Sequence, residues 1–190
     1  MSWFTKIFKS ESGRASTAEE VIRLYQQLGF FVGADPAAVV QRYFDDHRKP
    51  PNASEPWDDV FLLAYSEGNV WEGDLEADVC AHNEVYSEVL PEWARISRGA
   101  FAPSAITEHW ESETGPITLS FQLGGQPASL SPGYHDDWID LKILQQINGL
   151  IALSGHQFEC AVDCNFVLVL CLTPEQKRTM QTQRQFPFAW

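Results

Sequence analysis

The sequence has little positive charge. Thirteen Lys and Arg stand against 26 Asp and Glu, which gives a formal net charge of -13 over 190 residues. Binding to phosphate backbones needs clusters of Lys and Arg, so we expect no nucleic-acid partner. An anionic membrane surface should repel the chain for the same reason. Such an acidic chain favours a basic protein surface or a cation as its partner.

Long hydrophobic runs are missing as well. The longest, Phe166 to Leu172, has seven residues, whereas a membrane-spanning helix needs roughly 20. The first residues lack the apolar core of a secretory signal. The four cysteines do not have the spacing of a small disulfide-bonded domain. We therefore expect a cytoplasmic protein with reduced thiols.

The sequence also lacks motifs for catalysis. It has no Gly-x-Ser-x-Gly, no phosphate-binding loop and no Gly-x-Gly-x-x-Gly. His156, Cys160 and Cys164 are each separated by three residues, but zinc sites use closer cysteine pairs that supply four ligands. Cys160 and Cys171 fall in predicted strands, where cysteine packs as a small apolar residue. We therefore expect no catalytic residue, no metal and no cofactor.

One carboxylate cluster is open to two interpretations. His135, Asp136, Asp137 and Asp140 lie close together at the start of a predicted helix. They could hold a hard cation and so serve an enzyme. They could equally accept hydrogen bonds from the free amides of the helix N-terminus, which is the interpretation we favour.

Hydrophobic periodicity predicts one α+β domain over residues 1–190, with N-terminal helices and a mostly antiparallel sheet in the C-terminal half. In that half the predicted order is strand-strand-helix-strand-strand-helix. Thr17 and Glu20 have the spacing of a capping box, and Asp35-Pro36 opens the next helix. The apolar run Phe166 to Leu172 is typical of a central strand buried on both faces. The other expected helices are 1–12 (docked or mobile), 57–65 (with a strand as the alternative), 81–97 (interrupted at Pro91), 136–151 and from Pro174. The other expected strands are 105–110, 117–123 and 158–162.

The excess negative charge is concentrated in one quarter of the chain. Between Asp45 and Glu92 there are thirteen acids and two bases, a net charge of -11. Crowding of this kind costs stability, and aromatic residues are interleaved with it. The segment therefore predicts a contiguous acidic face that captures a basic protein; the alternative is an ordinary solvated surface that aids solubility. The predicted contact residues are Asp58, Asp59, Glu72, Asp74 and Glu76, with Trp57 or Trp71 as the aromatic anchor.

The sequence resembles the immunity proteins that neutralise toxins in competition between bacteria. The resemblance covers about the last 80 residues and lies in Trp110, Leu119-Ser120-Phe121, the stretch Asp136 to Asp140, and Leu172-Thr173-Pro174-Glu175-Gln176. It implies one-to-one binding that blocks a toxin without catalysis. Two alternatives remain: a secretion chaperone that holds an effector before export, and an enzyme that uses the Asp136 to Asp140 carboxylates.

Overall fold

The computed structural model describes residues 17–190, so the predicted helix at residues 1–12 lies outside the described range. Three helices come first: α1 (Ala18–Gln27), α2 (Pro36–His47) and α3 (Pro56–Ala64). The side chain of Thr17 accepts the N–H of Glu20, and the side chain of Glu20 accepts the N–H of Thr17, which completes the predicted capping box. The side chain of Asp35 caps α2 as predicted.

The rest of the chain forms two antiparallel sheets. The central sheet has the order β1-β6-β5, and the outer sheet has the order β2-β3-β4. The α+β class, with helices first and most of the strands in the C-terminal half, is therefore confirmed. The bounds are β1 Val70–Asp74, α4 Val85–Ile96, β2 Pro103–Trp110, β3 Ile117–Leu123, β4 Gln126–Leu130, α5 Lys142–Leu150, β5 Gln157–Asp163, β6 Phe166–Leu172 and α6 Pro174–Arg184.

Strand β6 lies in the middle of the central sheet and is buried on both faces, as the sequence predicted. Its side chains alternate between two hydrophobic cores because successive residues of a strand point to opposite faces. Val167 and Val169 join the sheet-side core, which also contains α4, α5 and the inner face of the outer sheet. Leu168 and Leu170 join the helix-side core, which also contains side chains of α1, α2, α3 and α6.

The helix predicted from Asp136 begins later, at Lys142. The preceding residues pair with the chain that follows β1 instead: Ile139 donates its N–H to the carbonyl of Leu75, and Ala77 donates to the carbonyl of Asp137. This tertiary pairing overrides the local helix signals. Trp138, an apolar residue of the predicted helix, lies before α5 and is 38 % exposed.

Three further differences concern the strands and α4. The strands form two sheets rather than one, and β1 comes from residues 69–76 of the acidic segment, where a turn and short extended chain were expected. Strand β4 follows the Gly124-Gly125 turn and was not predicted. Helix α4 continues through Pro91 instead of being interrupted there, since Leu90 and Trp93 on either side of it are fully buried.

Candidate binding surface

Two of the predicted contact residues are buried and cannot lie on an exposed acidic face. Asp59 is 0 % and Asp58 4 % exposed. Asp59 accepts two hydrogen bonds from the guanidinium of Arg184, at 2.7 and 2.8 Å, and one from the hydroxyl of Tyr25 at 2.7 Å. Asp58 accepts the N–H of Asn52 at 2.5 Å. The prediction that Asp58 and Asp59 contact a partner was therefore wrong, because both carboxylates are buried and hydrogen-bonded within the protein.

The two predicted tryptophan anchors are also engaged internally. Trp57 packs against the helix-side core. The ring of Trp71 lies over Gly73, so close that a β-carbon there would come within 2.3 Å of it. The same ring meets Trp93 edge-on, at 5.7 Å between centroids. Both side chains are only partly exposed, so neither is a free anchor.

Glu72, Asp74 and Glu76 do lie together, and we call these three residues the acidic row. They alternate along β1 and its extension, so their side chains share one face, and all three are exposed. Asp74 is partly engaged, because its carboxylate accepts the N–H of Glu76 at 3.0 Å and an amide N–H of Asn165 at 3.2 Å. The side chains of Glu72 and Glu76 make no hydrogen bond or ion pair within residues 17–190.

Aromatic side chains follow the acidic row on the same side of the central sheet. Phe166 is the cross-strand partner of Asp74, and its ring lies 5.7 Å from the ring of Phe61. The ring of His47 lies 5.8 Å from Phe61 and stacks at 4.2 Å on Tyr43. We call the partly or fully exposed members of this series, Phe166, Phe61, His47 and Tyr65, the aromatic strip. Tyr43, whose ring lies 6.3 Å from that of Tyr65, is fully buried.

Tyr65 of the aromatic strip interacts with charged residues of α2. The hydroxyl of Tyr65 donates to the carboxylate of Asp46 at 2.8 Å. Burial, followed by the contact with Asp46 and the charge of Glu72, raises the pKa of Tyr65 to about 12. The guanidinium of Arg42 lies 5.0 Å from the centre of the same ring. It also pairs with Glu67 at 3.1 Å, so this cation is already shared between two groups.

The acids between Asp45 and Glu92 do not form a single face. Asp46 lies on α2, which packs on one face of the central sheet, whereas Glu88 and Glu92 lie on α4, which packs on the other. Strand β1 is at the edge between these two layers. The acidic row therefore lies at the edge strand, with further exposed acids on the layers to either side.

Sequence reasoning missed the position of Phe166 beside the acidic row. It occurs in the run that predicted a fully buried strand, yet as the first residue of β6 it is only partly buried. Its proximity to Asp74 depends on the β1–β6 register, which joins residues 92 positions apart in the chain. Only the alternation of Glu72, Asp74 and Glu76 is a local signal, and it predicts that their side chains share one face.

The carboxylate cluster at Asp136 to Asp140 contributes to the fold. Asp140 is buried, and its carboxylate accepts the N–H of Lys142 at 2.9 Å and the N–H of Gly133 at 2.7 Å. The first of these bonds is the predicted use at a helix start. Asp136 and Asp137 are exposed. Within residues 17–190 no group of three or more His, Cys, Asp or Glu is arranged to hold a metal ion.

The cysteines of the strands pack as predicted. Cys160 in β5 and Cys171 in β6 are buried, and burial raises the pKa of each thiol to about 12. Cys164 is exposed in the hairpin turn between these strands. In the same described range, no helix is both long enough and apolar enough to cross a membrane.

Comparisons with known proteins give no relative. No protein-family model matches the chain, and neither a curated protein nor a solved structure is similar to it.

Proposed function

We propose that this is a non-catalytic binding protein that captures a basic protein through the acidic row and the aromatic strip. The observation that carries this proposal is the alignment of Glu72, Asp74 and Glu76 beside Phe61 and Phe166. Carboxylates steer a cationic partner toward the surface, and partly exposed aromatic rings supply apolar area for contact.

The surface is held in place by elements that are fixed to the rest of the domain. Strand β1 is paired along its whole length with β6, and α3, which carries Phe61, is fixed by the buried contact between Asp59 and Arg184. A surface on such elements loses little conformational entropy when a partner binds. Tight binding by a rigid protein is what inhibition of a toxin requires, so an immunity protein is the specific role that we propose.

The test is to isolate the partner from the native host and measure association with charge-reversed variants. Glu72→Lys/Glu76→Lys reverses two acids whose side chains have no described partner. Glu111→Lys/Glu113→Lys is the matched control, because it makes the same change in net charge at two exposed residues of the β2–β3 loop.

We expect the first variant to associate with the partner roughly tenfold more slowly at low salt, and salt to reduce the difference. The control should change the rate by much less. If both variants slow association equally, only net charge matters and the acidic row is not the site. An unchanged rate in both variants would show that the acids serve solubility.

A further inference from the structure

The two sheets have four edge strands, and on three of them a specific feature obstructs further pairing. On β5, the main-chain groups of Phe158, Cys160 and Val162 point away from β6. The side-chain amide of Asn148 bonds both the N–H and the carbonyl of Phe158, at 2.6 and 2.9 Å. The carbonyl of Cys160 accepts the N–H of Ala189 at 2.9 Å. These contacts occupy three of the main-chain groups that another strand would use, at the start and middle of β5.

The outer sheet is protected in comparable ways. On β4 the first outward position is taken by Pro127, which has no N–H to offer. Just beyond β4, the side chain of Gln146 bonds both main-chain groups of Ser131, at 2.9 and 3.1 Å. Strand β2 is interrupted by an irregularity between Ser104 and Thr107, which breaks the regular row of hydrogen-bonding groups.

Strand β1 has no such protection. The N–H of Leu75 bonds the carbonyl of Asn165 on the β6 side. Because main-chain groups alternate in direction along a strand, those of Gly73 and Trp71 also point to β6. Those of Val70, Glu72 and Asp74 must then point outward. No residue of the described range bonds these outward groups.

We propose that this open edge of β1 accepts an extended segment of the basic partner as a fourth strand of the central sheet. The proposal rests on the proposed function and names how the partner binds. Residues directly opposite Glu72 and Asp74 would share their face of the sheet, where opposite charges stabilise and like charges destabilise the pairing. The segment therefore has Lys or Arg at alternate positions.

The intervening residues of the segment are apolar, since they share the face on which the Trp71 ring covers Gly73. The same rule argues against a second copy of this chain as the occupant. Two β1 strands placed edge to edge would bring Glu72 and Asp74 of one copy against the carboxylates of the other. A basic strand meets both requirements of this edge. Its main chain can pair with the outward groups of β1, and its charge complements Glu72 and Asp74.

The direct test uses a synthetic peptide of about eight residues with alternating Lys and Val. A second peptide of the same composition, with the Lys and Val in separate blocks, is the control. Binding to the complete chain is followed by NMR, with amide hydrogen exchange at Glu72 and Asp74. We expect these two amides to exchange freely in the unbound protein and to become at least tenfold slower when the alternating peptide binds.

Three outcomes would overturn the proposal. The first is no binding of the alternating peptide, or equal binding of the block peptide. The second is binding without protection of the Glu72 and Asp74 amides. The third is protection of these amides in the free protein, which would mean that the edge is already covered. Sedimentation then shows whether the chain itself or a second copy covers it.

Variants separate this proposal from the proposed function. Glu72→Gln removes the charge alone, whereas Glu72→Pro removes the charge and the outward N–H without touching the bonds to β6. If the native partner adds a strand to β1, Glu72→Pro should weaken its binding at least tenfold more than Glu72→Gln does. If Glu72→Gln and Glu72→Pro weaken binding equally, and both by more than the control Glu111→Lys/Glu113→Lys, the partner uses the acids but adds no strand. Unfolding curves of both variants check that the fold is kept.

Discussion

The buried contact of Asp59 with Arg184 makes the sharpest prediction about stability. Arg184→Met keeps most of the apolar stem and removes the guanidinium. The Asp59 carboxylate then loses two of its three donors while it remains fully buried. Breaking a buried ion pair in this way costs about 3–5 kcal/mol of unfolding free energy. For a domain of this size, we expect the Tm to fall by roughly 6–20 °C.

Two further variants show whether the buried charge is the cause. Arg23→Met removes a guanidinium that contacts Glu19 at the same 2.8 Å, but both side chains are about half exposed. That substitution should cost less than about 1 kcal/mol. The triple variant Tyr25→Phe/Asp59→Leu/Arg184→Met leaves no charge unpaired, so it should recover at least half of the loss.

The assay is urea unfolding followed by tryptophan fluorescence, with the free energy extrapolated to water. The reasoning is refuted if Arg184→Met and Arg23→Met have equal effects. It is also refuted if the triple variant is less stable than Arg184→Met alone, because the cost would then come from lost packing and not from an unpaired carboxylate.

Three other measurements probe separate parts of the molecule. Gly73→Ala should cost about 1–3 kcal/mol in urea unfolding and shift the tryptophan emission, because the new methyl group displaces the Trp71 ring; unchanged emission and stability would contradict the close contact. Cys164 should react with a thiol reagent in the native protein, whereas Cys160 and Cys171 should react only after unfolding; mass mapping of the labelled sites decides this. Burial raises the pKa of Tyr86 to about 12, so the folded state holds the phenolic proton more tightly than the unfolded state and stability should decline as the pH rises from about 10 to about 12. Tyr86→Phe should have a shallower decline in unfolding free energy over that range, and an equally steep one would mean that another group is responsible.

Local chemistry made the helix starts and the central strand predictable. A capping box needs only residues three positions apart, so Thr17 with Glu20 and Thr173 with Gln176 define the starts of α1 and α6. The seven apolar residues of β6 predicted burial on both faces because no position in that run is polar. These features require no knowledge of the rest of the chain.

The acidic segment was harder to interpret because charge alone does not show which way a side chain points. Asp59 precedes Leu62 and Leu63 by three and four positions, so helical spacing places it on the buried face of α3. That signal was present in the sequence, but the partner that makes burial tolerable, Arg184, lies 125 residues away. Glu72 and Asp74 gained their significance from the pairing of β1 with β6, which is a property of the tertiary structure.

The long separation along the chain between α3 and β6 has a consequence for synthesis on the ribosome. Both hydrophobic cores need side chains of this strand, so neither can be completed until about residue 172 has emerged. At about 5–20 residues per second, the roughly 100 residues between α3 and the end of β6 take about 5–20 s to translate. During that interval the apolar faces of α1, α2 and α3 lack the strand that covers them. Neither core is therefore complete before β6 has been translated, and until then the uncovered apolar faces of the nascent helices favour aggregation.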